Sequence, residues 1–301
     1  MRNIWVIFRR EALAYFTRPL GYIYLVAFIL FTNLLGLFFL QPGFFEYPVA
    51  DMRRYFHVFA GVAAFLVAAS TMRLWSEDRE SNTYEMLLTL PMRASHLVVG
   101  KFLASLAFYA VGLVCTMTVP LMMIVLSRSG AGDVAETGFF GMLDIQATLS
   151  GYFGALLLGA FFLSFGLFVS GLCRDQIVAF VLTAPVLFVA YFLGVDFIRN
   201  ALDSALAFLG QGVGTALGNF VGIFWHFDNL VRGLITGADV LFFLIWTTIF
   251  LVLNGLAIER RHRPHATEMY MVSALLLFGI GLAGNYVTGF STLGRWDVTE
   301  E

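Results

Sequence analysis

The chain has 301 residues, of which 59% are hydrophobic and 13% charged, with a mean hydropathy of +0.83. Soluble domains carry about 25% charged residues, so this composition excludes a soluble globular domain, and the continuous, non-alternating apolar runs exclude a β-barrel. A net charge of −2 excludes a strongly basic nucleic-acid binder.

The first predicted element spans residues 1–20. In "IWVIFRREALAYFTRP", Trp5, Phe8 and Ala12 or Leu13 recur at helical spacing, with Arg9 and Arg10 placed to snorkel. That pattern predicts an amphipathic elbow helix lying in the membrane interface, and Pro19 marks the bend into the first crossing. The basic start superficially matches a signal peptide, but the following run is too long and lacks a small-residue cleavage site, so it reads as a retained span. A crossing needs about 20 apolar residues. Seven stretches qualify: 21–40, 55–72, 102–126, 147–172, 177–195, 240–258 and 269–290. Arg2, Arg9, Arg10, Arg18, Arg73, Arg79, Arg93, Lys101, Arg174, Arg260, Arg261 and Arg263 fall on one side. Arg53, Arg54, Arg128, Arg199, Arg232 and Arg295 fall on the other. The bias puts the N-terminus inside and the C-terminus outside. The expected fold class is therefore an all-α polytopic membrane protein.

Between the fifth and sixth crossings, "SALAFLGQGVGTALGNFVGIFW" (204–225) is uncharged but rich in glycine. An eighth crossing here would throw "ERRHRPH" (259–265) to the wrong side, so residues 197–235 are expected to form an outer re-entrant or interfacial segment. Gly210, Gly214, Gly218 and Gly222 recur every four residues, a stripe that lets another helix approach closely. Cys115 and Cys173 sit at different predicted depths and read as small buried hydrophobes, not as a disulfide.

None of the seven predicted spans contains Asp, Glu, Lys or Arg. Ion-coupled carriers keep such groups there for proton relays and ion sites. The chain also lacks an HExxH zinc motif, a GxSxG nucleophile elbow and the GxxxxGK[ST] phosphate loop. His262, His265 and Glu268 are spaced three apart in a basic juxtamembrane stretch, where contact with anionic lipid is the simpler explanation than a metal. No catalytic, cofactor or metal residue is predicted, and the chain does not read as an enzyme. Work done by such a protein must draw its energy from another subunit.

The stretch "WSEDRESNTYEMLLTLPMRASHLVVGK" (75–101) separates the second and third crossings. Asn82 or Ser81 can cap a short helix, with Glu85 three residues after Asn82 as a reciprocal capping partner. Tyr84, Leu87 and Leu88 lie on one side, and Pro91 ends the helix. The expected element is a rigid amphipathic helix on the inner face, with Glu77, Asp78, Arg79 and Glu80 forming a charged flank or a solvated turn. Residues 71–106 resemble the signature region of ABC-2 type transporter permeases, closest to the gliding-motility (Gld-type) and nitrous-oxide-reductase-maturation branch. The resemblance rests on Asp78, Arg79, Thr83, Glu85, Leu87, Leu88, Pro91, Gly100 and Lys101, with Asn82 in place of the usual glycine.

"FRREALAYFTRPLGYIYLVAF" (8–28) is similar to the family's elbow and first span, and "WHFDNLVRGLITGADVLFFL" (225–244) to the segment leading into its sixth. The resemblance implies a six-span permease domain over 21–262, a homodimer or pseudo-dimer of permeases, and a pair of cytoplasmic ABC ATPases that hold ATP and Mg. The 75–101 insert would be the coupling helix docking on that ATPase, and the setting a bacterial inner membrane. Residues 263–301 form a seventh span and tail. "NYVTGFSTLGRWDVTEE" (285–301) resembles the membrane-anchored start of the Gld-type auxiliary protein, which implies an extracytoplasmic domain as a further partner. That tail motivates an alternative to transport: a mechanical or assembly module in which the partner's ATP hydrolysis works an outer domain.

Overall fold

The computed structural model describes residues 2–38, 52–80, 94–129, 144–205, 223–262, 267–290 and 295–297. The described chain is a helical bundle with one two-stranded pairing. Helix α1 (Arg2–Thr17) turns at Arg18 into α2 (Pro19–Phe38). Proline at the first helical position costs no hydrogen bond, and any side chain at Gly21 would overlap the Tyr15 carbonyl, so the corner is as tight as glycine permits. The second crossing, α3 (Arg53–Thr71), continues as α4 (Arg73–Glu80) after one turn residue, Met72. Thr71 Oγ1 bonds back to the Val67 carbonyl at 2.9 Å, and Ser170 Oγ enters the break to donate to the Met72 carbonyl at 3.1 Å and accept from Trp75 N–H at 3.3 Å. Hydroxyls inserted into a helix ladder in this way bend it without leaving groups unpaired. The first part of the polar insert is thus helix continuous with a crossing, where the sequence predicted the crossing to stop at residue 72.

The third crossing is also longer and interrupted: α5 (Ala94–Thr116) and α6 (Thr118–Ser129) meet at Met117. Pro120, in the first turn of α6, has no N–H to give to the Thr116 carbonyl, and this ends α5. Then follow α7 (Ile145–Leu172), α8 (Gln176–Phe192), α9 (Asp196–Ala205), α10 (Ile223–Val231), α11 (Gly237–His262) and α12 (Thr267–Phe290). Strand β1 (Leu234–Thr236) pairs antiparallel with β2 (Arg295–Asp297), Ile235 opposite Trp296. The turn from α10 into β1 needs Gly233, whose φ of 84° disfavours any side chain.

Among the described residues, five helical stretches are long and apolar enough to cross a membrane: Pro19–Gly36, Arg53–Arg79, Ala94–Val125, Ile145–Leu172 and Gly237–Glu259. Two more apolar helical stretches, Gln176–Phe192 and Met271–Gly281, are shorter. At about 1.5 Å per residue, the 17 residues of α8 fall short of a hydrocarbon layer of about 30 Å.

The core is built around α7, which touches α3, α5, α8, α10 and α11 and is the most enclosed of the five. Its glycines make this possible. A Cβ on Gly151 would overlap Phe56, on Gly159 the Tyr109 ring, and on Gly166 Thr71; on Gly154 it would come within 2.9 Å of Leu230. Small residues at such positions are how apolar helices gain packing energy when no hydrophobic drive favours association. Gly159→Ala is expected to displace the buried Tyr109 ring, whose hydroxyl donates to the Ala155 carbonyl at 2.9 Å. Overpacking of this kind costs about 1–3 kcal/mol, and a lowered thermal midpoint in detergent, with Gly255→Ala (open space around its Cβ) as the control, measures it. The glycine stripe predicted at Gly210, Gly214, Gly218 and Gly222 lies outside the described residues.

Candidate coupling site and lateral cavity

At one end of the bundle, helices α1, α4 and α5 are joined through a single ammonium group. Lys101, in the second turn of α5, is 2% exposed and lies 2.6 Å from Asp78 of α4 and 3.2 Å from Glu11 of α1. Its Nζ also donates to the Leu74 carbonyl at 2.8 Å and sits 5.1 Å from the centre of the Trp75 ring. A buried ammonium needs this many partners, because an unpaired charge there is very costly. Gly100, one residue earlier, lets α1 come close. A Cβ there would come within 2.6 Å of Ile7, which is buried against α5. The Gly100–Lys101 pair is therefore the seat of α1, with the glycine giving room and the lysine giving the anchor.

Burial would raise the Glu11 carboxyl, but the Lys101 charge and the Arg10 guanidinium at 2.5 Å outweigh it and hold the group below its ordinary value. Around this node Glu77 pairs with Arg18 at the α1–α2 corner and with Arg73 at 3.7 Å. Arg79 donates to the carbonyls of Gly171, at 2.5 Å, and Cys173, satisfying the last turn of α7. A polar cavity of about 450 Å³ lies between α1 and the α3–α4 helix, bordered by Glu11, Tyr15, Arg73 and Lys101 among others.

Of the residues the sequence singled out here, Glu77, Asp78 and Arg79 are brought together, and each is bonded to another part of the same chain. Glu77 keeps 39% of its side chain exposed, whereas Asp78 keeps 16%. Glu80 ends α4. Asn82, Thr83, Glu85, Leu87, Leu88 and Pro91 lie outside the described residues. What the structure adds is the frame on both sides of them: residues 81–93 follow Asp78's helix and precede Lys101's, and those two side chains are in contact.

At the opposite end, α10 is pinned by buried polar groups. His57 of α3 lies 3.2 Å from Asp228 through Nε2 and 2.9 Å from the Tyr191 hydroxyl through Nδ1. An ionised carboxylate only accepts, so Nε2–H donates to Asp228, and in the neutral imidazole Nδ1 accepts from Tyr191. Arg232 donates to Asp228 at 2.5–2.6 Å and Arg53 lies 3.8 Å away. Burial pushes the Asp228 carboxyl up, but the hydrogen bonds from His57 and Arg232 and the Arg232 charge bring it below its usual range. On the other flank His226 meets Asp239 at 2.7 Å, and Ser150 Oγ donates to the Leu230 carbonyl at 2.6 Å. Beside this network, a cavity of about 810 Å³ opens on the surface between α2, α3 and α8. Sequence reasoning missed His57 and Asp228, although a histidine inside an apolar run was a visible signal.

Over residues 32–262, most of the chain, the sequence matches the ABC-2 family transporter protein family. The chain belongs to the ABC-2 transporter family. No curated protein matches it significantly. The match includes α3 to α11, hence His57, Asp78, Lys101 and Asp228, while α1 with Glu11 precedes it and α12 follows it. Members of the ABC-2 family are membrane components of ABC transporters without an ATPase of their own, so this ABC-2 protein is a multi-pass permease component, and the family implies an ABC ATPase partner in general.

Proposed function

We propose that the chain is the transmembrane permease of an ABC-2 transporter, driven by a separate cytoplasmic ATPase pair that carries ATP and Mg and docks on residues 75–101. The observation that carries this reading is the Lys101 node: the helices on either side of residues 81–93 are locked to each other and to α1 by Asp78, Lys101 and Glu11. A push on that segment is delivered to α1, α4, α5 and, through Arg79, α7 together. In this reading α2, α3–α4, α5–α6, α7, α11 and α12 are crossings, and α8, extended by the hydrogen-bonded turn at Leu193–Val195, makes the seventh. The Lys101 end faces the cytoplasm, where the basic residues concentrate, and two copies assemble in a bacterial inner membrane. The Gld-type branch is part of the same proposal and rests on the sequence pattern of 71–106. Cargo is held in the apolar cavity of about 810 Å³ between α2, α3 and α8.

The test is co-purification with the ATPase. Glu85→Arg is expected to reduce recovery of the ATPase about tenfold, as a charge reversal at a docking face does, with the thermal midpoint unchanged. Undiminished recovery of the partner refutes the docking assignment.

A further inference from the structure

The packing of α2, α3, α5 and α7 brings four hydroxyl side chains to one depth of the bundle. Phe28 of α2 lies against Gly112 of α5 and meets Phe59 of α3 edge-on, with ring centres 5.7 Å apart. Two turns further along α2, Gly36 lies against the Tyr55 ring. Thr32 falls midway between these contacts on the same face, and Thr116 falls one turn beyond Gly112 on α5. On α7, Gly159 lies against Tyr109, and Tyr152, two turns away, faces Thr116 and Tyr55.

All four side chains are buried, Thr32, Tyr55 and Thr116 completely. Thr116 donates to the Leu113 carbonyl at 2.7 Å and Tyr55 to Asn33 Oδ1 at 3.0 Å, so both protons are used while both oxygens can still accept. The Thr116 carbonyl is a further acceptor, because Pro120, four residues on, has no N–H to offer it. Against these acceptors stand two donors. Thr32 Oγ1 and Tyr152 Oη have no hydrogen-bond partner among the described residues. Other buried threonines bond back to their own helix, as Thr71 does to Val67 and Thr183 to Ala179, so the orphaned Thr32 hydroxyl is an exception. A buried hydroxyl left unmet is costly.

We infer that this cluster binds an ordered water molecule, which accepts from Thr32 and Tyr152 and donates to Tyr55 and to Thr116 at the break between α5 and α6. Water offers two protons and two lone pairs, and buried waters typically make about three hydrogen bonds to groups otherwise unsatisfied. A cation would take the oxygens but leave the protons of Thr32 and Tyr152 unmet. Bonded through water, the break sets α6 at its own angle without an orphaned carbonyl. The site goes beyond the permease reading and does not depend on it.

The experiment uses the full chain in phosphatidylcholine nanodiscs. X-ray radiolysis generates hydroxyl radicals from water in place, and the oxidised residues are located by mass spectrometry. Tyr55 and Tyr152 are expected to be oxidised on the order of tenfold more than Tyr109, a tyrosine also buried but bonded directly to the Ala155 carbonyl, since a buried water is held beside the first two only. Thr32→Val combined with Tyr152→Phe is expected to bring Tyr55 down to the level of Tyr109. Thermal unfolding separates a wet site from a dry one by its sign. Deleting an unmet hydroxyl relieves a burden and raises the midpoint, whereas deleting one bonded to water lowers it. Thr32→Val and Tyr152→Phe are each expected to lower the midpoint, and together by less than the sum, because they share one water.

A raised midpoint in either single variant overturns the inference, as do strictly additive losses or a Tyr55 oxidised no more than Tyr109 in the unmodified chain. So does a midpoint that moves when sodium or potassium replaces N-methylglucamine at constant ionic strength, since a cation is then the occupant.

Discussion

Lys101→Met is expected to produce the largest loss of stability of any single change at the coupling end, about 3–5 kcal/mol, the usual cost of removing one partner from a buried ion pair. Methionine fills nearly the same volume, so the loss comes from charge: Glu11 and Asp78, 15% and 16% exposed, are left with the cation between them gone. Thermal unfolding measures the global loss, and faster hydrogen exchange across residues 2–17 reports release of α1. Adding Glu11→Gln and Asp78→Asn to the same chain is expected to recover much of the midpoint, because the carboxylates that need the lysine are gone; no recovery means that packing around Trp75, not charge, sets the effect. The pH dependence follows from Glu11, whose carboxyl is held below its unfolded value of about 4.3. A group depressed in the folded state contributes stability that is present above the unfolded value and disappears as the pH falls through the folded one. The gap between Lys101→Met and the unmodified protein is therefore full at neutral pH and narrows in acid.

At the other end, Asp228→Ala is expected to unpin α10. The carboxylate is 4% exposed and is the common partner of His57, Arg232 and Arg53, so its removal takes away the counter-charge they share, again about 3–5 kcal/mol. Limited proteolysis or hydrogen exchange over residues 223–236 is the readout, and Asp239→Ala on the opposite flank of α10 should act on the same peptides through His226. Asp228→Asn retains an acceptor for His57 but no charge for Arg232, so an intermediate effect is expected. The Asp228 carboxyl, too, lies below its ordinary range, so its contribution is present above about 3.9 and lost as the pH falls further. Protection of 223–236 that is unaltered in Asp228→Ala would mean that the Ser150–Leu230 bond and packing hold α10 unaided.

Apolar run length made the five long crossing helices legible, because a hydrocarbon layer demands it regardless of tertiary detail. The ends were not legible. The second run loses its hydrophobicity at Arg73, yet the helix continues to Glu80 because Glu77, Asp78 and Arg79 each find a partner, at the α1–α2 corner, on α5 and on α7 respectively. Residues 94–101 read as polar lead-in for the same reason: Lys101 is a charge on paper and a buried anchor in the fold. Pro120 was overlooked as a break because the run around it stays apolar. Glycine spacing drew attention to 210–222, whereas the glycines of α7 at 151, 154, 159 and 166 follow no single period, since each answers a different neighbour: Phe56, Leu230, Tyr109 and Thr71. Of the residues at the Lys101 node, the sequence picked out Asp78, Gly100 and Lys101 through a motif, but not Glu11, which is 90 residues from Lys101 and has no local signal.

The glycines of α7 also limit how the bundle can move. Where backbone lies directly on a neighbouring ring, with no flexible side chain between them, one helix cannot slide past another by a fraction of a turn without steric overlap. α7 and the helices seated on its glycines must travel as one block, and any stroke has to be taken up by elements outside those close contacts, among them α8 with Ile177 at 76% exposure. The permease would then behave as a fixed mast with a swinging door, its hinge on the α8 side, which is also the side on which the lateral cavity opens.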